Sequence, residues 1–266
     1  MGLYKLRFAG RDFVLDDFDG ADLVAKQMQQ GVYEAPLPML TMAIVLRNPG
    51  MFLDVGANNG LYSVLAGISR PDVKIIAFEP YPPALDVLKR NVSANGLLDR
   101  VDIRSIALSD SEGSATLYLP ERHHEFLETS SSLEPGFRPR SRTLDKEVTK
   151  APLDNIELPE RVGVIKADIE GHELAFLEGA RKTIARDRPF VFVEVFPPNP
   201  ENMNGLTKFI QQIGYMDFLL RKEVAIFSET VDHDPLAWNH AFVPRDRIAI
   251  FEQACSAHQI KLVRAW

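Results

Sequence analysis

Beginning at Met51, unbroken apolar runs of five to seven residues alternate with segments of helical period, a pattern that predicts buried parallel strands joined by helices. The runs place strands at Met51 to Val55, Val73 to Glu79, Val101 to Ala107, Val162 to Asp168 and Phe190 to Phe196. Helices are predicted near Asn59 to Ser69, Pro82 to Asn95 and Glu173 to Ala185, with an extra short strand at Ala115 to Leu119. Residues 1 to 50 read differently. Tyr4 to Phe8 and Arg11 to Leu15 alternate around Ala9-Gly10 as a hairpin, Asp19 caps a helix from Ala21 to Gln30, and a second helix runs from Leu37 to Leu46 behind Pro36. These residues form an N-terminal cap, residues 51 to 229 the main domain, and residues 230 to 266 an extension packed on it. Between Glu121 and Pro159 the period disappears, which predicts a long polar insertion without regular structure, of the kind that carries function. After Pro200 a helix from Glu201 to Ile213 leads into Tyr215 to Leu220 and Glu223 to Phe227, read as an antiparallel pair closing the sheet edge. Arg245 to Trp266 read as a last helix and short strand.

Composition narrows the partners. The chain has 266 residues, with 30 Lys plus Arg against 37 Asp plus Glu, a net charge of −7. This balance opposes nonspecific binding to nucleic acid or an anionic membrane, both of which need a positive face. The lone Cys255 makes neither an internal disulfide nor a thiolate metal site and reads as a small buried hydrophobe. The start of the chain is too polar for a signal peptide, Leu6 replaces the hydroxyl residue a myristoylation signal needs, and no stretch supplies the roughly 18 apolar residues of a membrane span. A cytoplasmic location is expected, and a homo-oligomer is compatible with the sequence.

The chemistry starts at Asp54-Val55-Gly56-Ala57-Asn58-Asn59-Gly60, where a buried strand turns into a helix at the sheet's carboxyl edge. A dinucleotide fingerprint needs a glycine where Asn58 stands, which disfavours an NAD-dependent oxidoreductase. Gly56 lets a ligand approach the backbone, and the Asp54 carboxylate suits a ligand bearing an ammonium group better than a diphosphate. Nineteen residues past Gly60, Glu79 ends the next strand, where a carboxylate accepts hydrogen bonds from ribose hydroxyls.

These residues, with Ala77-Phe78-Glu79-Pro80, Asn91-Val92 and Asn95, Ala107-Leu108-Ser109, Lys166-Ala167-Asp168-Ile169-Glu170-Gly171-His172-Glu173, Tyr33-Glu34 and Leu177-Glu178-Gly179-Ala180, resemble the FkbM-type S-adenosylmethionine-dependent methyltransferases over about residues 31 to 220. The resemblance implies an α/β, Rossmann-like class I methyltransferase fold. Its mostly parallel seven-stranded sheet has helices on both faces and an antiparallel edge strand. It also implies methyl transfer to hydroxyl oxygens. By the same resemblance, Asp54 and the backbone through Gly56, Asn58 and Gly60 hold the methionine part of S-adenosylmethionine, Glu79 holds the ribose, and Ser105, Ile106 and Ala107 flank the adenine.

An alcohol is a poor nucleophile, so transfer to it gains from a base, and Asp168, His172 and Glu194 are the candidates. Glu173 also reads as a helix-start acid, and Lys166 as a partner for Asp168 or Glu194. Asp168, Glu170, His172 and Glu194 are the alternative as a Mg²⁺ site; it is not favoured, because their spacing is not diagnostic. His123-His124 and Arg138, Arg140 and Arg142 lie in the polar insertion, the Pro197-Pro198-Asn199 corner shapes an acceptor pocket, and Trp238, His240 and Trp266 line a sugar face or anchor the C-terminal segment. The expected acceptor is a hydroxyl of a sugar, glycoconjugate or natural product. A metabolite-binding protein that kept the fold and lost catalysis is the rival.

Overall fold

The computed structural model describes residues 2–16, 23–120, 131–134, 143–196 and 200–264. Asp19, the two histidines at 123 and 124, the three insertion arginines, the Pro197-Pro198-Asn199 corner and Trp266 lie outside the described residues.

Five parallel strands form the frame: β3 (Met51–Val55), β4 (Ile75–Phe78), β5 (Val101–Arg104), β9 (Val162–Ala167) and β10 (Phe190–Glu194). They are apolar on both faces because both faces are covered. Phe52, Val164 and Phe192 pack beneath α2 (Leu37–Arg47), α3 (Leu61–Ser69) and α4 (Pro82–Ala94). Leu53, Ile165 and Val193 pack on α5 (Glu173–Gly179), α6 (Arg181–Asp187) and α7 (Pro200–Gln212). The chain leaves β3 toward β4 and β5, then crosses back to lay β9 on the other side of β3. That reversal opens a crevice at the carboxyl ends of β3 and β9, where open α/β sheets bind ligands.

The sheet differs from the expected seven strands with an antiparallel edge. Among the described residues it has nine, in the order β14-β12-β11-β13-β10-β9-β3-β4-β5, where β11 is Tyr215–Arg221, β12 Val224–Ser228, β13 Asn239–Pro244 and β14 Lys261–Arg264. The strand β13, in the segment read as an extension, is interior and antiparallel to both β10 and β11. Its sequence hid it, because a proline ends it and the polar His240 lies within it. His240 is fully buried, and its Nδ1 meets Asp217 on β11 at 2.9 Å. A cross-strand pair therefore stands where an apolar residue was the signal.

The insertion is also more regular than expected. A second sheet of order β6-β8-β7 joins β6 (Ala107–Leu108) and β7 (Gly113–Pro120) to β8 (Thr143–Ala151). Among the β8 side chains from Asp145 onward only Val148 is buried, so one face of this strand is charged and carries no apolar alternation. The helix expected over Glu173 to Ala185 breaks at Ala180. A Cβ on Gly179 would stand 1.9 Å from the Ser109 carbonyl oxygen, so the helix passes too close to β6 to continue with any larger residue there.

The N-terminal hairpin, β1 (Leu3–Phe8) and β2 (Arg11–Asp16), docks on α4 through two asparagines. Asn95 accepts from Val14 N at 2.9 Å and donates to Val14 O at 2.7 Å. Asn91, fully buried, accepts from Asp16 N at 2.6 Å and donates to Asn59 O in the glycine turn at 2.7 Å. Asn91→Ala leaves two buried backbone groups without these partners, each worth ~1–3 kcal/mol. Thermal unfolding should show a drop of about 5–10 °C, from a loss of roughly 2–4 kcal/mol. The part-buried Asn95→Ala should cost less, and equal effects of the two variants would contradict this account of the docking.

Candidate active site at the carboxyl edge

The turn after β3 holds Gly56, Asn58 and Gly60 in left-handed conformations, with φ of 72°, 50° and 82°. Gly56 N and Ala57 N both donate to Phe78 O at 3.0 Å, which pins the turn to the tip of β4. The glycines answer to the protein's own packing. A Cβ on Gly56 would lie 2.0 Å from the Asp168 carbonyl oxygen, and one on Gly60 would lie 2.4 Å from Leu88 Cδ1. The close approach read from Gly56 is thus made first by the turn after β9.

Asp54 faces inward. Its Oδ2 accepts from Ser63 N at 2.8 Å and Ser63 Oγ at 2.6 Å, tying β3 to the first turn of α3. Burial pushes its pKa up to about 6 despite those bonds. Glu79 is buried as well, with Oε2 accepting from Asn58 N at 2.9 Å and Oε1 from Tyr81 N at 2.8 Å. Burial raises its pKa to about 7, against these two amides. Unlike Asp54, it lines a cavity.

That cavity has about 610 Å³ of empty space, its open mouth included. Gly56, Asn58, Glu79 and Asp168 supply polar wall, and Phe78, Ile106, Ala107, Leu108 and Leu117 supply apolar wall. Ile106 and Ala107 stand here together, whereas Ser105 is exposed and Ser105, Asp54 and Gly60 are not part of the lining. Ser131 and Leu133, from the polar insertion expected to carry function, close one side. The pairing of a buried strand-tip carboxylate with an apolar wall fits the ribose and adenine of S-adenosylmethionine.

Beside the cavity lies a cluster of part-exposed acids around one buried lysine. Lys166 is 1% exposed, its Nζ is 3.1 Å from Asp168 Oδ2 and 4.9 Å from the centre of the Tyr62 ring. Burial works against its charge, yet Asp168, Glu34 and Glu194 outweigh it and hold the lysine above its ordinary pKa. Asp168 is the reverse case. Burial raises its pKa, but Lys166 and a hydrogen bond from Glu194 overcome this and keep it ionised below the usual carboxylate range. Burial and the Asp168 charge push Glu194 well above that range. Glu34 completes the group. It accepts from Tyr62 Oη and bonds Tyr33, and burial raises its pKa. Tyr33-Glu34 belonged to the sequence resemblance but had no assigned role; their distance along the chain from Asp168 concealed the contact.

His172 lines the cavity but is engaged at both ring nitrogens, Nε2 with Ser109 Oγ at 2.9 Å and Nδ1 with Glu134 Oε1 at 2.6 Å. Glu134 and Ser132, whose Oγ donates to Glu170 O at 2.7 Å, anchor the insertion to the turn after β9. Glu173 holds that turn from within, accepting from Ile169 N at 3.2 Å and Gly171 N at 3.3 Å, with its pKa raised to about 7 by burial. Among the described residues no group of three or more His, Cys, Asp or Glu is arranged to hold a metal ion, so the alternative Mg²⁺ set is not brought together. No helix of the described residues is long and apolar enough to cross a membrane.

Comparison with known proteins places this arrangement. The chain is 32% identical to the methyltransferase sdnD of Sordaria araneosa over 50% of its own length and 60% of the relative's. It is 24% identical to the 2-O-methyltransferase NoeI of Sinorhizobium fredii, over 54% of this chain and 62% of that one. The chain therefore spans less than two thirds of the length of these curated relatives. Among solved structures it is similar to the methyltransferase FkbM from Methylobacillus flagellatus KT, at 19% identity and a TM-score of 0.49, over 72% of this chain and 43% of that chain. Residues 54–222 match the methyltransferase FkbM domain, from the Asp54 that starts the glycine turn to the end of β11. That span is more than half of the chain, and the chain belongs to the FkbM methyltransferase domain family.

Proposed function

We propose that the protein is an S-adenosylmethionine-dependent O-methyltransferase acting on a hydroxyl of a sugar, glycoconjugate or natural product. The observation that carries this reading is that Glu79 and the ionised Asp168 line one cavity at the topological switch point, with an apolar wall beside them. When bound, the cofactor supplies an electrophilic methyl group on a sulfonium. Glu79 accepts hydrogen bonds from the ribose hydroxyls, while Phe78, Ile106 and Leu108 pack the heterocycle and exclude water. Asp168, with 27% of its side chain exposed, accepts the hydrogen bond of the acceptor hydroxyl and orients its lone pair. As the acceptor oxygen takes the methyl group, its proton passes to a carboxylate oxygen of Asp168. Lys166 stabilises Asp168 as an anion before that transfer, and Glu194 fixes its orientation. His172, committed to Ser109 and Glu134, acts as a brace of the cavity wall. The net charge of −7 supports a small-molecule or glycan acceptor over nucleic acid.

Two measurements test this. Hydroxyl donors favour the Glu79 carboxylate over its acid form, so binding below its pKa of about 7 must release a proton. Calorimetry should show affinity for S-adenosylhomocysteine rising as pH is raised toward 7 and levelling above it. Glu79→Gln should remove that component and weaken binding by roughly 1.5–3 kcal/mol; pH-independent binding by the parent would contradict the role. Asp168→Asn should leave affinity for S-adenosylhomocysteine within about threefold while lowering transfer of labelled methyl to the parent's acceptor by roughly 10²-fold or more. A variant that keeps more than about a third of parental turnover would remove Asp168 from the chemistry.

A further inference from the structure

Asp168 and Glu194 share a hydrogen bond but face different spaces. Asp168 lines the cavity of Glu79, whereas Glu194 and Glu34 line a second, more open depression of about 730 Å³ at the tips of β10 and β11. Its opposite wall is the loop before β13, with Trp238 and Leu236.

This loop is braced. Arg221 Nε donates to Asp234 Oδ2 at 2.9 Å, and Leu236 N donates to Asp234 Oδ1 at 2.8 Å. Val195 N donates to Trp238 O at 2.7 Å, and the Phe196 ring centre lies 5.3 Å from that of Trp238. Burial is the default for an indole, yet Trp238 keeps 39% of its surface exposed while held on a fixed ledge beside two carboxyl groups. Arg221 is engaged by Asp234, so its charge is already compensated at this wall.

We propose that this depression is the acceptor subsite and that it takes a sugar ring. The ring lays an apolar C–H face on Trp238 and turns its hydroxyls to Glu34 and Glu194, beside the Asp168 that Glu194 bonds, so that the reacting hydroxyl reaches past the acid pair to the edge of the Glu79 cavity. The chemistry selects this class. Glu34 and Glu194 keep lone pairs beyond their bonds to Tyr62, Tyr33 and Asp168, and several ligand hydroxyls engage these where an aliphatic acceptor cannot. A ring with one apolar face and several hydroxyl donors satisfies both walls. The assignment rests on the methyl-transfer reading and extends it to the second substrate.

Saturation-transfer NMR on the full chain loaded with S-adenosylhomocysteine tests it, with methyl β-D-glucopyranoside, methyl α-L-fucopyranoside and methyl α-L-rhamnopyranoside as probes and cyclohexanol as the control alcohol. At least one glycoside should receive saturation on the protons of one ring face, and cyclohexanol should not. Trp238→Ala should weaken that glycoside about tenfold or more, Trp238→Phe should retain it, and neither should change S-adenosylhomocysteine affinity. No transfer to any glycoside in the loaded protein overturns the proposal, as does equal transfer to cyclohexanol or binding that survives Trp238→Ala. Failure of the parent to bind S-adenosylhomocysteine, read separately by calorimetry, would instead overturn the methyl-transfer reading on which the proposal rests.

Discussion

A single lysine ammonium buried in the middle of the parallel sheet sets the terms for every acid around it. Lys166 lies in register with Asp54 on β3 and Phe192 on β10, so its side chain leaves the sheet where no water reaches it. A buried charge without a partner costs several kcal/mol. Asp168 at 3.1 Å provides the partner, and Glu34 and Glu194 then compete for what remains of the positive field. One cation does not hold three carboxylates ionised in a low-dielectric site. The cluster resolves this by holding Asp168 below the ordinary carboxylate range and Glu194 above it, with a hydrogen bond between them. Two chemically similar side chains thus take different roles because only one is in contact with the lysine.

This division organises the space on either side. The turn after β9 is held against the turn after β3 so closely that only glycine fits at position 56, and Glu173, Ser132 and Glu134 fix it from the other directions. Asp168 is therefore presented to the Glu79 cavity on a backbone that cannot shift without breaking several contacts. Glu194, one strand away, projects toward the Trp238 depression. In the proposed reaction the acceptor hydroxyl reaches past the acid pair to the edge of the Glu79 cavity, where its proton meets the ionised Asp168.

Much of this was legible in the sequence. The apolar runs fixed the parallel strands to within a few residues, and the Asp54 to Gly60 turn and Glu79 were placed at neighbouring strand tips because strand endings follow directly from hydrophobic period. What stayed hidden required contacts between distant segments. Strand β13 depends on the pairing of His240 with Asp217, and β8 has too few buried side chains to show alternation. Tyr33 and Glu34 reach the site only after α2 and α3 pack together, and His172 reads as a free base until Ser109 and Glu134 are found at its two nitrogens. Asp54 was read as a ligand contact; its Oδ2 accepts from Ser63, an intramolecular bond that spacing alone does not reveal.

The most direct test of the acid pair is a carbon-13 NMR titration of the carboxyl groups in the protein loaded with S-adenosylhomocysteine, assigned with Asp168→Asn and Glu194→Gln. The account predicts that the Asp168 carbon titrates below the ordinary carboxylate range and the Glu194 carbon well above it, and that Asp168→Asn brings the Glu194 titration down toward that range. Asp168 and Glu194 titrating together within the ordinary range, each unaffected by loss of the other, would contradict it.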